Sequence, residues 1–310
     1  IDSLQRKHDE IQMRVWDSER NLVLYQKKID QLDSQLRDRL KLLSGRSKQP
    51  TIYFVTPTGF RPERKADLTR LAQTLAQVPN LFWIVVEDAA EPSAAIRDML
   101  ARTKMTHAHL AVQTRPDMKL RTNDPNWKLP RGVEQRNAAL EYIRRQFGSV
   151  QTGVVYFGDD DNTYDWRLFN EMRSVQRVGV WPVGIVGALV VEAPTTFENG
   201  SISGFNAIWK PDRPFPVDMA AFAVNVTLIV KYPNATFKYD VPRGYQESQF
   251  LTSLHLTRAD LEPKADMLTK VYVWHTRTEK SKFVSSLNRR LENLQRAEFD
   301  PVEKDALGVD

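Results

Sequence analysis

Three consecutive acids, Asp159, Asp160 and Asp161, follow the apolar run "VVYF" and a single glycine. Adjacent carboxylates repel one another, so we expect a cation to offset their charge in the folded protein. Mg²⁺ and Mn²⁺ prefer oxygen ligands and often bridge protein carboxylates to phosphate oxygens, which stabilises the charge on a departing diphosphate. The triplet therefore predicts a divalent metal site that binds a nucleotide phosphate. The alternative is a solvated acidic loop in which Asp161 and Asn162 form a turn.

A second acidic group, Glu87 and Asp88, follows the apolar run "LFWIVV". Continuous apolar runs are typical of strands that are buried on both faces of a sheet. Because ligands of open α/β sheets bind beyond the carboxyl ends of the strands, both acidic groups are predicted to lie at a ligand crevice. The sequence has no Gly-x-x-x-x-Gly-Lys-Ser/Thr loop, which excludes a P-loop NTPase, and no Gly-x-Gly-x-x-Gly motif opens a helix, which counts against a dinucleotide enzyme.

Strand and helix patterns alternate from residue 51 onward. The predicted strands are 51–55, 81–86 and 154–157, and the predicted helices are 62–78 and 133–147. This alternation predicts an α/β fold with a mostly parallel central sheet and helices on both faces. Residues 178–260 mix short strands with proline-rich turns. No linker separates them from the first half, so we expect them to continue the same domain.

Residues 1–43 carry a different pattern, in which apolar residues recur at alternating steps of three and four. The seam consists of Ile1, Leu4, Ile11, Val15, Leu22, Tyr25, Ile29, Leu32, Leu36 and Leu43, and the same steps also pass through His8, Ser18 and Arg39. This spacing predicts a coiled-coil stem, and the alternative is a single amphipathic helix that lies on the body. The following segment, "SGRSKQP" at 44–50, contains glycine and proline and is a predicted linker.

The charges are distributed unevenly along the chain. The net charge is +5, but residues 1–49 hold 11 basic and 8 acidic residues, whereas residues 50–310 hold 33 and 31. A body so close to neutral argues against a protein that coats nucleic acid, although it allows a local basic pocket for an anion. The chain has no cysteine, which excludes disulfides, Cys-ligated zinc and thiol nucleophiles.

Three features bear on the compartment. No apolar run approaches the roughly 18–20 residues of a membrane span. The chain begins with Ile1 rather than methionine, so we expect an upstream anchor or signal to have been removed. Glycosylation sequons at Asn199, Asn225 and Asn234 favour a secretory location, although Asn225 lies in an apolar run where a glycan fits poorly.

Seven motifs occur in a fixed order: "TPT", "VEDA", "PRGVEQRN", "VVYFGDDDNTY", "PFPVDMAAFAV", "RGYQES" and "VWHTRTEK". Over residues 50–280 the chain resembles the animal β-1,3-glucuronyltransferases, in particular those that complete the proteoglycan linkage tetrasaccharide. The resemblance implies a GT-A fold, UDP-glucuronic acid as donor, Mn²⁺ (with Mg²⁺ as the alternative) as cofactor, and inverting transfer to the 3-hydroxyl of a terminal β-galactose. It also implies a homodimeric type II membrane protein of the Golgi lumen, whose anchor would precede this sequence.

The resemblance assigns the donor site residue by residue. Asp161 would be the direct metal ligand, with Asp159 and Asp160 contacting the nucleotide sugar and ribose. Arg136 would face the hexuronate carboxylate, which a guanidinium can bind with two hydrogen bonds. The other donor-site residues would be Pro57 and Thr58 after the first strand, Asp88 at the uracil edge, Arg131 at the nucleotide end, and His275 and Arg277 at the diphosphate.

The acceptor side rests on the same resemblance. Glu247 would be the general base that takes the proton of the acceptor hydroxyl, because an inverting displacement needs one base and no covalent nucleophile. The other acceptor-binding residues would be Glu192, Trp209, Arg213 and Asp218. For Glu247 the alternative is a helix-terminal acid beside Arg243, and for Trp209 it is packing in the core.

One motif departs from the family pattern, which usually reads Thr-Pro-Thr-Tyr after the first strand, with the tyrosine stacked on uracil. Here the sequence is "TPTGF", so Gly59 occupies that position. Either Phe60 supplies the ring one position later, or the stacking is lost.

These observations predict a stem at 1–43, a linker at 44–50, a GT-A catalytic domain at 51–280 and a C-terminal tail at 281–310. The catalytic domain would comprise a donor half at 51–161 and an acceptor half at 162–280, and in a homodimer residues 281–288 would reach the neighbouring acceptor site. Alternative functions are a transferase with another donor or acceptor, such as N-acetyllactosamine, and an inactive glycan-binding relative. Retention of both Asp161 and Glu247 argues against the inactive relative.

Overall fold

The computed structural model describes residues 49–309 except 121–123, 126–127, 150–151, 293 and 295–296, together with residues 7, 11–18, 20–22, 24, 25, 27, 28 and 31. The chain divides into two units, Ile1–Lys48 and Gln49–Asp310. Among the described residues, no helix is both long enough and apolar enough to cross a bilayer.

The described part of the first unit is helical. Four seam positions lie within it, and their side chains are 52–68% exposed: Ile11, Val15, Leu22 and Tyr25. The other seam positions, and the linker as far as residue 48, lie outside the described residues. The coiled-coil stem therefore stays a prediction.

The second unit contains twelve described strands. They are β1 (Thr51–Thr58), β2 (Leu81–Glu87), β3 (Thr106–Ala111), β4 (Gly153–Phe157), β5 (Thr163–Tyr164), β6 (Val178–Val180), β7 (Val183–Val186), β8 (Leu189–Thr196), β9 (Ile202–Asn206), β10 (Phe222–Asn225), β11 (Leu261–Pro263) and β12 (Val273–Trp274).

The described helices of this unit are α1 (Arg64–Leu75), α2 (Ala94–Thr103), α3 (Val133–Phe147), α4 (Arg167–Met172), α5 (Val226–Lys231), α6 (Gln246–Ser253), α7 (Ala265–Leu268), α8 (Ser285–Glu292) and α9 (Pro301–Leu307). Short 3₁₀ helices cover Pro116–Met118, Met219–Ala221 and Arg258–Asp260.

The central sheet has seven strands in the order β11-β6-β10-β4-β1-β2-β3. Its β4-β1-β2-β3 portion is entirely parallel, and β10 is antiparallel to both of its neighbours. The predicted α/β fold with a mostly parallel central sheet is confirmed. A second sheet, ordered β5-β12-β7-β8-β9 and largely antiparallel, comes from the second half of the chain, whose strand order the sequence pattern did not resolve.

Helices cover both faces of the central sheet. Because consecutive strand residues point in opposite directions, an apolar strand presents side chains to the helices on each face. Tyr53 lies on one face, with its ring centroid 4.8 Å from that of Phe147 in α3. Phe54 lies on the other face, 5.9 Å from Phe169 in α4. Burial on both faces explains why every residue of β2 is apolar until Glu87.

The parallel register brings three carboxyl ends to one edge of the sheet. Thr58 at the end of β1 pairs with Glu87 at the end of β2, and Val55 pairs with Phe157 at the end of β4. The acidic triplet therefore begins next to the β1–α1 loop, at the edge where open α/β sheets bind ligands.

Glu87 does not face this edge, in contrast to the expectation for both acidic groups. Its side chain is 1% exposed and accepts hydrogen bonds from Arg64 (2.7 Å), from His109 Nε2 (2.6 Å) and from the Ser93 hydroxyl (2.9 Å). Burial alone would raise the pKa of Glu87, but the bonds from His109 and Ser93 and the charge of Arg64 lower it overall. Glu87 thus stabilises the fold beneath the site.

The C-terminal tail packs against α1 of its own chain. Lys65 forms an ion pair with Asp305 at 2.6 Å, and Arg64 donates to the carbonyl of Gly308 at 2.7 Å. At the start of the tail, the Ser281 amide donates to Glu63 at 2.6 Å. The predicted contact of residues 281–288 with a neighbouring acceptor site stays a prediction.

Candidate active site

Each acid of the triplet has a different environment. Asp159 forms an ion pair with Arg136 at 2.9 Å. Asp160 is 5% exposed and accepts from both terminal nitrogens of Arg61, at 2.8 and 3.0 Å, and from the Thr58 hydroxyl at 2.6 Å. Within the described residues, the Asp161 carboxylate accepts no hydrogen bond, although its backbone carbonyl accepts from Thr276 at 2.7 Å. The third acid is therefore the one available to a ligand.

The electrostatics of Asp161 fit a cation. Burial raises its pKa, and the charges of Asp160 and Asp159 raise it further. A hard divalent ion would reverse that effect and would find an oxygen donor without a competing bond. In the part of the chain that the structure describes, no three His, Cys, Asp or Glu side chains are grouped as a metal site. Other ligands of such an ion would therefore include diphosphate oxygens or water.

Arg136 is held beside the triplet by contacts on several sides. It is 8% exposed, donates to the Arg131 carbonyl at 2.8 Å and lies 5.7 Å from the ring centroid of Phe237. Gly132 has a φ of +72°, and a Cβ there would lie 2.6 Å from Arg136 Nη1. The glycine of "PRGVEQRN" is therefore required both by the backbone and by the close approach of the guanidinium.

Asp88 lies at the other end of the predicted donor site. It accepts from the amide and hydroxyl of Thr114, at 2.7 and 2.9 Å, so its orientation is set by protein contacts. Next to it, Gly59 has room for a side chain, since a Cβ would lie 3.8 Å from that of Asp88. Phe60 is 37% exposed, and the Arg64 guanidinium lies 5.8 Å from its ring centroid.

A histidine predicted on the donor side contacts an aspartate predicted on the acceptor side. His275 Nδ1 lies 3.1 Å from Asp218 Oδ2, and the other Asp218 oxygen accepts from the Ala220 amide at 2.9 Å. The bond to Asp218 raises the pKa of His275. Burial alone would raise the pKa of Asp218, but the bond and charge of His275 lower it overall. Asp218 is therefore a persistent negative charge at the centre of the site.

Glu247 has the properties of a general base. It lies in the first turn of α6 with its side chain 16% exposed, 3.9 Å from Arg213 Nη1. Burial and the charge of Asp218 raise its pKa to about 7. A carboxylate with a pKa near the working pH is both available and basic enough to accept a proton. Arg243, its alternative partner, places its guanidinium over the Trp209 ring, 4.7 Å from the centroid.

Arg213 joins the loops around Glu247. It is 4% exposed and donates to the carbonyls of Lys210, Trp209 and Gly244, at 3.2, 3.1 and 2.5 Å. Gly244 has a φ of +81°, and a Cβ there would lie 2.4 Å from the Trp209 indole nitrogen. The Trp209 ring is nevertheless 41% exposed, so core packing is not its role.

Comparison with known proteins places this arrangement in a family. The model of "Glycosyltransferase family 43" matches residues 71–279, more than half of the chain. The chain belongs to glycosyltransferase family 43.

Three curated relatives of this glycosyltransferase are all named galactosylgalactosylxylosylprotein 3-beta-glucuronosyltransferase. The chain is 55% identical to the one called sqv-8 of Caenorhabditis elegans, and the match covers 100% of this chain and 87% of that protein. It is 49% identical to the corresponding enzyme I of Drosophila melanogaster (76% and 78% covered) and 48% identical to enzyme 3 of Homo sapiens (80% and 75% covered).

The remaining predicted site residues of this family 43 enzyme are less constrained. The side chains of Arg131 and Arg277 are exposed, and Pro57 lies within β1, immediately before Thr58. Sequence reasoning missed Arg61, the cation that pairs with Asp160. Its position in the loop after the first strand was the available signal, because such loops border the ligand edge.

The three sequons of the glycosyltransferase differ in accessibility. Asn199 and Asn234 are exposed. Asn225 caps α5 by accepting from the Thr227 amide at 3.0 Å, and its side-chain nitrogen donates to the Val175 carbonyl at 3.2 Å. A glycan on Asn225 would require breaking that contact, so Asn199 and Asn234 are the better candidates.

Replacing Glu192 is expected to stabilise the enzyme in a pH-dependent manner. Glu192 is 5% exposed, and burial and the charge of Asp218 raise its pKa to about 7 from the ordinary 4.5. Between these pH values the unfolded chain releases a proton that the folded enzyme keeps, so stability is lost as pH rises towards 7. Glu192→Gln should therefore increase the free energy of unfolding at pH 8 by up to about 3 kcal/mol, and by much less at pH 5.

Urea unfolding of both proteins at the two pH values measures this effect. The exposed Glu198→Gln in the same half of the chain is the control and should change stability at neither pH. A Glu192→Gln difference of equal size at pH 5 and pH 8 would contradict the assigned cause.

Proposed function

We propose that this protein transfers glucuronic acid from UDP-glucuronic acid to the 3-hydroxyl of a terminal β-galactose, with inversion, as in the completion of the proteoglycan linkage region. The names of its family 43 relatives support the reaction class. The structural observation that carries the proposal is the contact between His275 Nδ1 and Asp218 Oδ2 at 3.1 Å, which joins a residue assigned to the diphosphate to one assigned to the acceptor. The residues assigned to the donor and to the acceptor therefore belong to one site.

The acceptor hydroxyl is a poor nucleophile because an alcohol has a high pKa. Glu247 removes its proton as the bond to the anomeric carbon forms and UDP departs from the opposite face. Arg213, 3.9 Å from Glu247, stabilises the carboxylate before proton transfer. Trp209, which is 41% exposed and whose carbonyl accepts from the same Arg213, offers its ring to the sugar, and Glu192 and Asp218 offer hydrogen-bonding groups.

On the donor side, Arg136 binds the hexuronate carboxylate, in competition with Asp159. His275, with its raised pKa, and Arg277 supply positive charge for the diphosphate. A divalent cation on Asp161, Mn²⁺ or alternatively Mg²⁺, would offset the charge that develops on the departing UDP.

We also propose a homodimer in the Golgi lumen, anchored by a segment outside this sequence. The family resemblance and the two exposed sequons, Asn199 and Asn234, support this location.

Incubation of the protein with UDP-glucuronic acid and a panel of acceptors tests the function. We expect transfer to a galactosyl-galactosyl-xyloside and to no mannoside acceptor. N-Acetyllactosamine in the same panel tests the alternative acceptor class. Absence of transfer to every galactoside would overturn the proposal.

Glu247→Gln is expected to reduce turnover by about 10²–10⁴-fold, because an amide keeps the shape of the side chain but cannot accept the proton. UDP affinity should be unchanged, and the melting temperature should be equal or slightly higher, since a carboxylate with a raised pKa is removed. In the parent enzyme, kcat/KM should fall as pH decreases below about 7, where Glu247 becomes protonated.

The exposed Glu198→Gln again serves as the matched control and should retain parental turnover. If Glu247→Gln keeps turnover within a few-fold of the parent, the base lies elsewhere, and Asp218 is the next candidate.

Asp161→Asn is expected to abolish metal-dependent turnover while preserving the fold, because the amide lacks the charge that holds the cation. Asp165→Asn, which removes a nearby acid paired with Arg167, should keep activity. Full activity of Asp161→Asn, or of the parent protein in excess chelator, would refute the metal assignment. Circular dichroism of the parent and both variants checks the fold, and turnover measured while Mn²⁺ is titrated checks the metal dependence.

A further inference from the structure

Arg61 bridges two buried carboxylates from distant parts of the chain. Its Nη2 atom donates to Asp67 in α1 at 2.7 Å and to Asp160 at 2.8 Å, and its Nη1 atom donates to Asp160 at 3.0 Å. Both carboxylates are buried, whereas the Arg61 side chain is 29% exposed. The arginine therefore lies at the rim of the site and directs its guanidinium inward.

The position of Asp67 is itself fixed by other contacts. Its second oxygen accepts from Arg70 at 2.9 Å and from the Thr278 hydroxyl at 2.7 Å. Thr278 follows Arg277 by one residue, so the segment predicted to contact the diphosphate is tied to the same carboxylate. The Asp67–Arg61–Asp160 bridge thus connects the β1–α1 region, the acidic triplet and the segment after β12.

The bridge determines how the charge of the triplet is divided. Two hydrogen bonds from one guanidinium hold a carboxylate in a fixed plane, which a single point charge cannot do. With Asp160 held by Arg61 and Thr58, and Asp159 held by Arg136, only Asp161 is left without a hydrogen-bond donor among the described residues. Without Arg61, Asp160 would be a buried carboxylate without a compensating cation, and only the Thr58 hydroxyl would hold its orientation.

We infer that Arg61 is a positioning residue of the donor site, which acts through Asp160 to leave Asp161 as the carboxylate that faces the metal and the diphosphate. The inference rests on the proposed function. The test separates this role from two others: a purely structural link between α1 and the sheet, and a direct contact of Arg61 with the donor.

A double-mutant cycle tests the inference on the full chain. Arg61→Met, Asp160→Asn and the double variant are compared with the parent for UDP affinity, by titration calorimetry with Mn²⁺ and with EDTA. Arg61→Met should weaken UDP binding in Mn²⁺ by about tenfold or more, since it removes charge-assisted hydrogen bonds. The UDP affinity of the double variant should lie within about twofold of that of the single variant that binds UDP more weakly, because both changes break the same link.

The matched control is Arg70→Met, because Arg70 bonds the same Asp67 but is 56% exposed. It should leave UDP affinity within about twofold of the parent. The loss in Arg61→Met should shrink in EDTA, since it acts through the metal ligand. Arg61→Lys, which keeps the charge but not the paired bonds, should show an intermediate loss.

Three results would overturn the inference. A lower melting temperature of Arg61→Met with unchanged UDP affinity in Mn²⁺ would assign Arg61 a structural role only. Additive losses in the double variant would show that Arg61 contacts the donor directly. If Arg61→Met does not fold, the UDP affinity of Arg61→Lys is measured instead. An affinity equal to that of the parent would then overturn the inference. A parent protein that binds no UDP would instead refute the proposed function.

Discussion

The mutual repulsion of Asp159, Asp160 and Asp161 is the constraint around which the donor half is arranged. Three adjacent carboxylates at the end of a buried strand cannot share one environment, because burial increases both the desolvation cost and the repulsion. Arg136 from α3 and Arg61 from the β1–α1 loop compensate the first two. Arg136 lies in the first turn of α3, which begins at Val133 directly after Gly132, and Arg61 lies in the loop after β1, so both elements bring a cation to the triplet.

On the acceptor side, Asp218 has the corresponding central role. Its charge is retained by His275, and it disfavours the ionisation of both Glu192 and Glu247. Burial, together with this one anion, raises the pKa of both carboxyl groups to about 7. Only Glu247 combines this property with partial exposure and an adjacent arginine, whereas Glu192 is buried. The different roles proposed for Glu247 and Glu192 thus rest on their surroundings, since the two side chains are chemically identical.

The elements that could be predicted from sequence are those with a strong local pattern. The run "LFWIVV" is a strand because it is apolar throughout, and residues 133–147 form a helix between the predicted limits. The contacts that could not be predicted join residues far apart in the chain. Arg61 and Asp160 are 99 positions apart, and His275 and Asp218 are 57 apart, so no local period relates them. Three strands of the second sheet, β5, β7 and β12, were equally hard to predict, because strands of two to four residues have too few positions to show an alternation.

The contact between Arg64 and the carbonyl of Gly308 has a consequence for biosynthesis. The two residues are 244 positions apart, and the same guanidinium neutralises Glu87 beneath the donor edge. A chain emerging from the ribosome exposes β1, α1 and β2 long before Gly308 is synthesised. During that interval Arg64 lacks one of its acceptors, and the N-terminal face of α1 that receives the tail stays exposed to solvent. The donor half therefore reaches its final packing only after Gly308 has been synthesised and α9 has docked on α1.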